Sequence, residues 1–194
     1  MKSRLRWYGL WLVGASLSFC TVLAQAAPVL DYKLTLSEDG SAYQVWMMPT
    51  ETPKPDLSLT GQLTIKVPHK AGFKISEVKP AIKDVMWTEA SRVDAPQEAK
   101  DSDYISFSFF GVQNGSSVKK YNWEAGKEQL IFSFSNEAGC VNDVSIIEAN
   151  DPFNKTDNSA HTNPGNHFSN LGWGAANENH FRKVYGNTPK CPKK

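Results

Sequence analysis

Tyr104-Ile105-Ser106-Phe107-Ser108-Phe109-Phe110 alternates bulky apolar residues with serine. Period two with aromatic and branched residues is the pattern of a strand that buries one face and wets the other. The same pattern recurs on both sides of it. Leu30 to Leu36 alternates, Ser37-Glu38-Asp39-Gly40 makes a turn, and the run from Ala42 to Met48 resumes, so the pair predicts a hairpin. Pro49, Pro53 and Pro55 make the next stretch a loop. Further strands are predicted at 63–67, 73–78, 84–87, 129–134 and 144–147, with a polar connection over 92–101 and a loop around Asn114-Gly115. Trp46, inside its alternating strand, reads as core.

About eight short strands at this spacing, with no sustained helical period, give an all-β chain: a single antiparallel β-sandwich of jelly-roll or immunoglobulin-like type. From Asn150 the composition turns to Asn, Asp, Gly and Ser. This predicts a long polar C-terminal loop region over 151–194 that follows a sandwich core over 27–150. Phe153, Phe168, Leu171, Trp173 and Phe181 are the residues in it that would pack down.

The first 26 residues read differently. Lys2, Arg4 and Arg6 precede an apolar run from Trp7 to Leu23, which closes on Ala24-Gln25-Ala26. A basic start, an apolar middle and an A-x-A end predict a secretory signal peptide cut after Ala26. The protein is therefore expected outside the cytoplasm: extracellular, at the cell surface or in the periplasm. Without those residues 18 basic side chains face 20 acidic ones, a net charge of −2. Near-neutrality gives no reason to expect nucleic acid as a partner, and no later stretch is long and apolar enough to span a membrane. With Cys20 in the leader, Cys140 and Cys191 remain. An even pair in an oxidising compartment predicts one disulfide.

Several short stretches together resemble a group of secreted bacterial β-sandwich domains described as cadherin-like or cohesin-like. They are Leu63-Thr64-Ile65-Lys66-Val67-Pro68, Ser91-Arg92-Val93-Asp94-Ala95-Pro96 with Asp103-Tyr104-Ile105-Ser106-Phe107, and Trp123-Glu124-Ala125-Gly126-Lys127-Glu128. Gly139-Cys140-Val141, Asn150-Asp151-Pro152-Phe153, Asn158-Ser159 and Asn163-Pro164-Gly165-Asn166 extend the resemblance over most of the chain beyond the leader. It implies a cohesin-like sandwich related to carbohydrate-binding modules, with a place on cell surfaces or in adhesive and matrix assemblies. The departure is that this chain shows no second module, dockerin repeat or C-terminal sorting signal.

Two kinds of site are expected from the residues. Exposed aromatic rings stack on sugar faces, and the same rings also fill cores. Tyr121 and Trp123 in a loop-like context, and Trp173 between two glycines, are the candidates for a polysaccharide ligand. Calcium takes oxygen ligands from carboxylates, amides and carbonyls. Glu148, Asn150, Asp151 and Asp157 are the candidate ligands of a structural calcium, with Asn154, Asn158 and Asn163 nearby. The alternative is that these residues serve as turn formers. Apart from such a calcium no cofactor is expected. His69, His161, His167 and His180 lack metal-ligand spacing and read as solvated loop residues. Asp101 and Asp103 read as blunting a strand end. No nucleophile elbow, carboxylate pair or Cys–His arrangement is present, so the chain is expected not to be an enzyme. Asn114-Gly115-Ser116 and Asn154-Lys155-Thr156 are acceptor triplets that matter only in a glycosylating host. The expected function is binding or adhesion toward an envelope or matrix protein, with a stand-alone carbohydrate-binding module as the alternative and self-assembly through a sheet edge as a further route.

Overall fold

Alternating patterning becomes two packed sheets. The computed structural model describes residues 27–111 and 121–193; the leader and the Asn114 triplet lie outside them. In chain order the described strands are β1 (Leu30–Leu36), β2 (Tyr43–Pro49), β3 (Ser58–Pro68), β4 (Ile75–Pro80), β5 (Trp87–Asp94), β6 (Ser102–Phe110), β7 (Gln129–Asn136), β8 (Ser145–Ile146), β9 (His167–Asn170) and β10 (Phe181–Val184). A single 3-10 turn, His69–Ala71, is the one helical element among the described residues. The first sheet has the order β10-β1-β2-β7-β4, and the second β5-β6-β3-β8, with β9 also paired to β3. Pairing is antiparallel except between β1 and β10, which run parallel.

The core lies between the sheets. Tyr43, Val45 and Met47 of β2 and Phe132 and Phe134 of β7 face Leu63, Ile65 and Val67 of β3 and Ile105, Phe107 and Phe109 of β6, all buried. Rings dominate it. Tyr43 stacks on Phe134 with centroids 5.2 Å apart, and Phe132 lies 5.1 Å from both Trp87 and Phe107. Such rings give a small core a large apolar payload and fixed geometry. The backbone of β3 passes directly beneath the Trp87 indole. A Cβ on Gly61 would sit 2.7 Å from that ring, so only glycine fits there. In the β1–β2 turn, the Ser37 hydroxyl and the Ser41 N–H and hydroxyl converge on Asp39 and hold its carboxyl down at about 2.

The structure corrects three expectations. The fifth strand is Trp87–Asp94, so it begins where the predicted one ended and takes in the start of the predicted connection. It is an edge strand with its middle exposed, and therefore carries little apolar alternation to read. The strand expected at 144–147 is only Ser145–Ile146. Third, the segment after Asn150 is more than loop. It supplies β9 to the second sheet and β10 to the first. The His180 carbonyl accepts the N–H groups of Val29 (2.9 Å) and Leu30 (2.8 Å), and Arg182 closes on the buried Asp31 carboxylate. Cys140 and Cys191 form the expected disulfide, which fastens the chain end beside β7. Among the described residues no helix is long and apolar enough to cross a membrane.

Candidate binding surfaces

The two sheets differ in what covers their outer faces. On the second sheet the outward residues of β3 and β6 are largely roofed by the chain itself. Tyr104 packs on Phe153 at 4.5 Å and donates its hydroxyl to Asp151 at 2.8 Å. Thr64 and Ser106 share a buried hydrogen bond of 2.7 Å beneath Asn166. The Asn166 amide accepts the Thr64 N–H at 3.0 Å and donates to the Ile147 carbonyl at 2.8 Å. This roof ends before the sheet does. Beyond it lies a groove of about 590 Å³ floored by the rows Gln62–Ser108 and Thr60–Phe110, with His167 of β9 opposite Gln62. Among the described residues no charged side chain lines it.

Among the described residues the outer face of the first sheet has a lighter cover, with Tyr185 and Gly186 lying over Lys33 at one side. Register places Lys33 of β1, Trp46 of β2 and Leu130 of β7 in one row across it. Trp46 is thus not a core residue as its strand suggested. Tyr43, Val45 and Met47 point inward, and Gln44, Trp46 and Met48 take the other face, half-buried. The indole N–H donates to Thr35 at 2.9 Å. The Lys33 ammonium lies 5.6 Å from the Trp46 ring centre and 5.3 Å from that of Tyr185, while pairing with Glu128. That pairing holds the Glu128 carboxyl below the usual carboxylate range. The result is a flat platform of Trp, Met, Tyr and Leu with one charge pair.

The predicted sugar-stacking residues sit elsewhere and in a different state. Tyr121 and Trp123 are buried, stacked on each other at 4.9 Å and 4°. Phe168 meets both edge-on at 5.5 and 5.7 Å. The Trp123 indole donates to Ser58 and its backbone N–H to Asp56, while the Trp87 indole donates to the Tyr121 hydroxyl. Their faces are therefore spent on each other and the core, which corrects the expectation of exposure. Trp173 is half-buried, 5.9 Å from Trp123, with its indole N–H on the Glu51 carbonyl at 2.9 Å. The three rings do come together, as a plug at one end of the sandwich rather than a platform.

Of the calcium candidates, Glu148, Asn150 and Asp151 line one shallow pocket beside Lys66, and Asp157 is not among its lining residues. Among the described residues no three His, Cys, Asp or Glu side chains cluster for a metal. Glu148, Asn150 and Asp157 are exposed. Asp151 is engaged by the Tyr104 hydroxyl, the Lys66 ammonium at 3.2 Å and the Phe153 N–H at 3.0 Å. Lysine thus supplies the positive charge at this carboxylate. The loop is organised by an amide instead: Asn158 donates to the Lys155 and Thr162 carbonyls and accepts the Ala160 and Thr162 N–H groups.

The histidines are more engaged than their loop positions suggested. His69 bonds Asp103 at 2.6 Å, and Arg92 and the Ala95 N–H hold the same buried carboxylate, tying the end of β3 to β5 and β6. His180 is fully buried, and burial lowers its pKa below 6.5; His167 is shifted the same way. The signal for Trp46 and for the groove was present in strand parity. The signal for His180 was not, because its burial depends on β9 and β10.

The fold and its faces define an all-β two-sheet sandwich with one roofed and one lightly covered outer face. No family model matches the chain, and no curated protein does. Two solved cohesin domains are similar to it. One, from a dockerin–cohesin complex, has a TM-score of 0.42 and 9% identity over 84% of this chain and 99% of that one. The other is the type I cohesin OlpC of Clostridium thermocellum, solved with a dockerin, with a TM-score of 0.41 and 12% identity over 83% of this chain and 92% of that one.

Proposed function

We propose that this chain is a secreted, non-enzymatic binding module that engages an envelope or matrix protein through the outer face of its first sheet. The observation that carries the reading is the Lys33–Trp46–Leu130 row. A half-buried tryptophan, flanked by methionine, tyrosine and one ion pair on a rigid sheet, has the composition of a protein-interface centre. Trp46 is the anchor, because tryptophan at the middle of a flat contact contributes most where water is excluded around it. Lys33 is pre-positioned by Glu128 and two rings, so it loses little freedom on binding.

The test is depletion of the purified chain from residue 27 onward by the envelope fraction of its own cells. The expected result is retention that vanishes when the envelope is pretreated with protease and that falls at least about tenfold in W46A. Retention indifferent to W46A, or absent altogether, overturns the reading.

A further inference from the structure

The groove on the second sheet has a chemistry of its own. Its polar walls are fixed before any ligand arrives. The Gln62 amide donates to the Asn163 and Gly165 carbonyls, both at 2.7 Å, which sets its orientation and leaves Oε1 without a protein partner among the described residues. The Asn163 side chain accepts the Gly165 N–H at 3.2 Å and keeps its Nδ2 donor. Asn154 donates to the Glu148 carbonyl at 3.2 Å and keeps Oδ1 as an acceptor. These two amides converge on Gly165, where a Cβ would lie 3.3 Å from each Oδ1. Ser108 adds a hydroxyl, and Phe110 forms a rim ring that is 60% exposed. His167 also lines the groove, and its lowered pKa keeps it neutral near pH 7.

We propose that this groove binds a neutral saccharide. A sugar hydroxyl both donates and accepts, and oriented amides and a hydroxyl offer both roles without charge. The apolar face of a sugar ring needs a flat partner, and Phe110 stands at the rim. The described lining is uncharged, which favours a neutral ligand over an anionic or cationic one. A peptide strand would need free main-chain groups, but β3 is paired here on both sides, by β6 and β9. The volume falls within the range of small-ligand sites. This site is separate from the outer face of the first sheet and from the buried pair Tyr121 and Trp123.

The experiment is calorimetric titration of the chain from residue 27 onward with cellohexaose, chitohexaose, maltohexaose and xylohexaose, beside acidic polygalacturonate. At least one neutral oligosaccharide is expected to bind. F110A should weaken it about tenfold, S108W should abolish it by filling the groove, and W46A should leave it unchanged. Phe110 is exposed enough that F110A keeps the thermal midpoint of the parent, so lost binding is not lost folding. No binding of any of the four, binding that survives both groove variants, or equal binding of polygalacturonate overturns the proposal.

Discussion

Four tryptophans follow residue 26, and two of them trade places between sequence and structure. Trp46 lies in a strand whose neighbours Tyr43, Val45 and Met47 fill the core. Parity alone assigns it to the opposite face with Gln44, so its exposure was legible and the strand context misled. Trp123 was not legible. It is buried by Asp56, Ser58 and Phe168, residues far away in the chain that no local window contains. The two should respond oppositely to truncation. Trp123 is 3% exposed and its removal opens a cavity against Tyr121 and Phe168. W123A is expected to cost roughly 3–5 kcal/mol, and W46A about 1–2 kcal/mol, since its side chain is only partly buried. Urea unfolding at unchanged m separates them. A W123A midpoint equal to that of the parent would place that ring outside the core.

Elements were legible by apolar contrast more than by length: β3, the longest at eleven residues, starts at Ser58, five residues before its predicted 63–67, because Ser58 to Gln62 carries little apolar contrast. β1, β2, β6 and β7 are seven to nine residues long and rich in apolar residues, and their predicted bounds lie within two residues of those seen. β9 and β10 are four residues each in polar company, too short to show a period. They form because the rest of the sheet supplies their partners, which is tertiary context overriding weak local preference. The disulfide was legible from cysteine count and compartment, but not what it fastens. Pro192 packs on Gly40 in the β1–β2 turn, beside Cys191. β10 is held independently, by parallel pairing with β1 and by Arg182 on Asp31. Cys140 and Cys191 are 51 positions apart, for which chain entropy gives a ceiling of about 4 kcal/mol. C191S is therefore expected to lower the thermal midpoint yet leave the aromatic near-ultraviolet signal of the core intact, with new proteolytic cuts only after Tyr185. Cuts within β10 would show that the disulfide, not the strand pairing, holds the chain end.

A sandwich with open edges can add strands from a second copy, and the whole molecule must be weighed for that route. β4 ends one sheet with Glu77 and Lys79 paired at 2.9 Å, both exposed, followed by Pro80. Its ladder to β7 carries a bulge between Ile75 and Glu77. β5 ends the other sheet with Glu89 outward and a bulge between Glu89 and Ser91. β10, the third edge, presents Arg182 and Lys183. Charge, proline and bulges on edge strands are the devices that stop edge-to-edge pairing. The fourth edge, β8, is two residues long, and β9 beside it on β3 is four, too short to template a partner strand. That leaves the face around Trp46 as the route to a dimer, and a face kept for another protein need not match itself. Static light scattering of the chain from residue 27 onward is thus expected to return the mass of one chain at every concentration tried. If mass rises with concentration, W46A identifies the contact. A variant that stays monomeric makes the face around Trp46 self-complementary, and one that still associates shows that an edge pairs despite its guards.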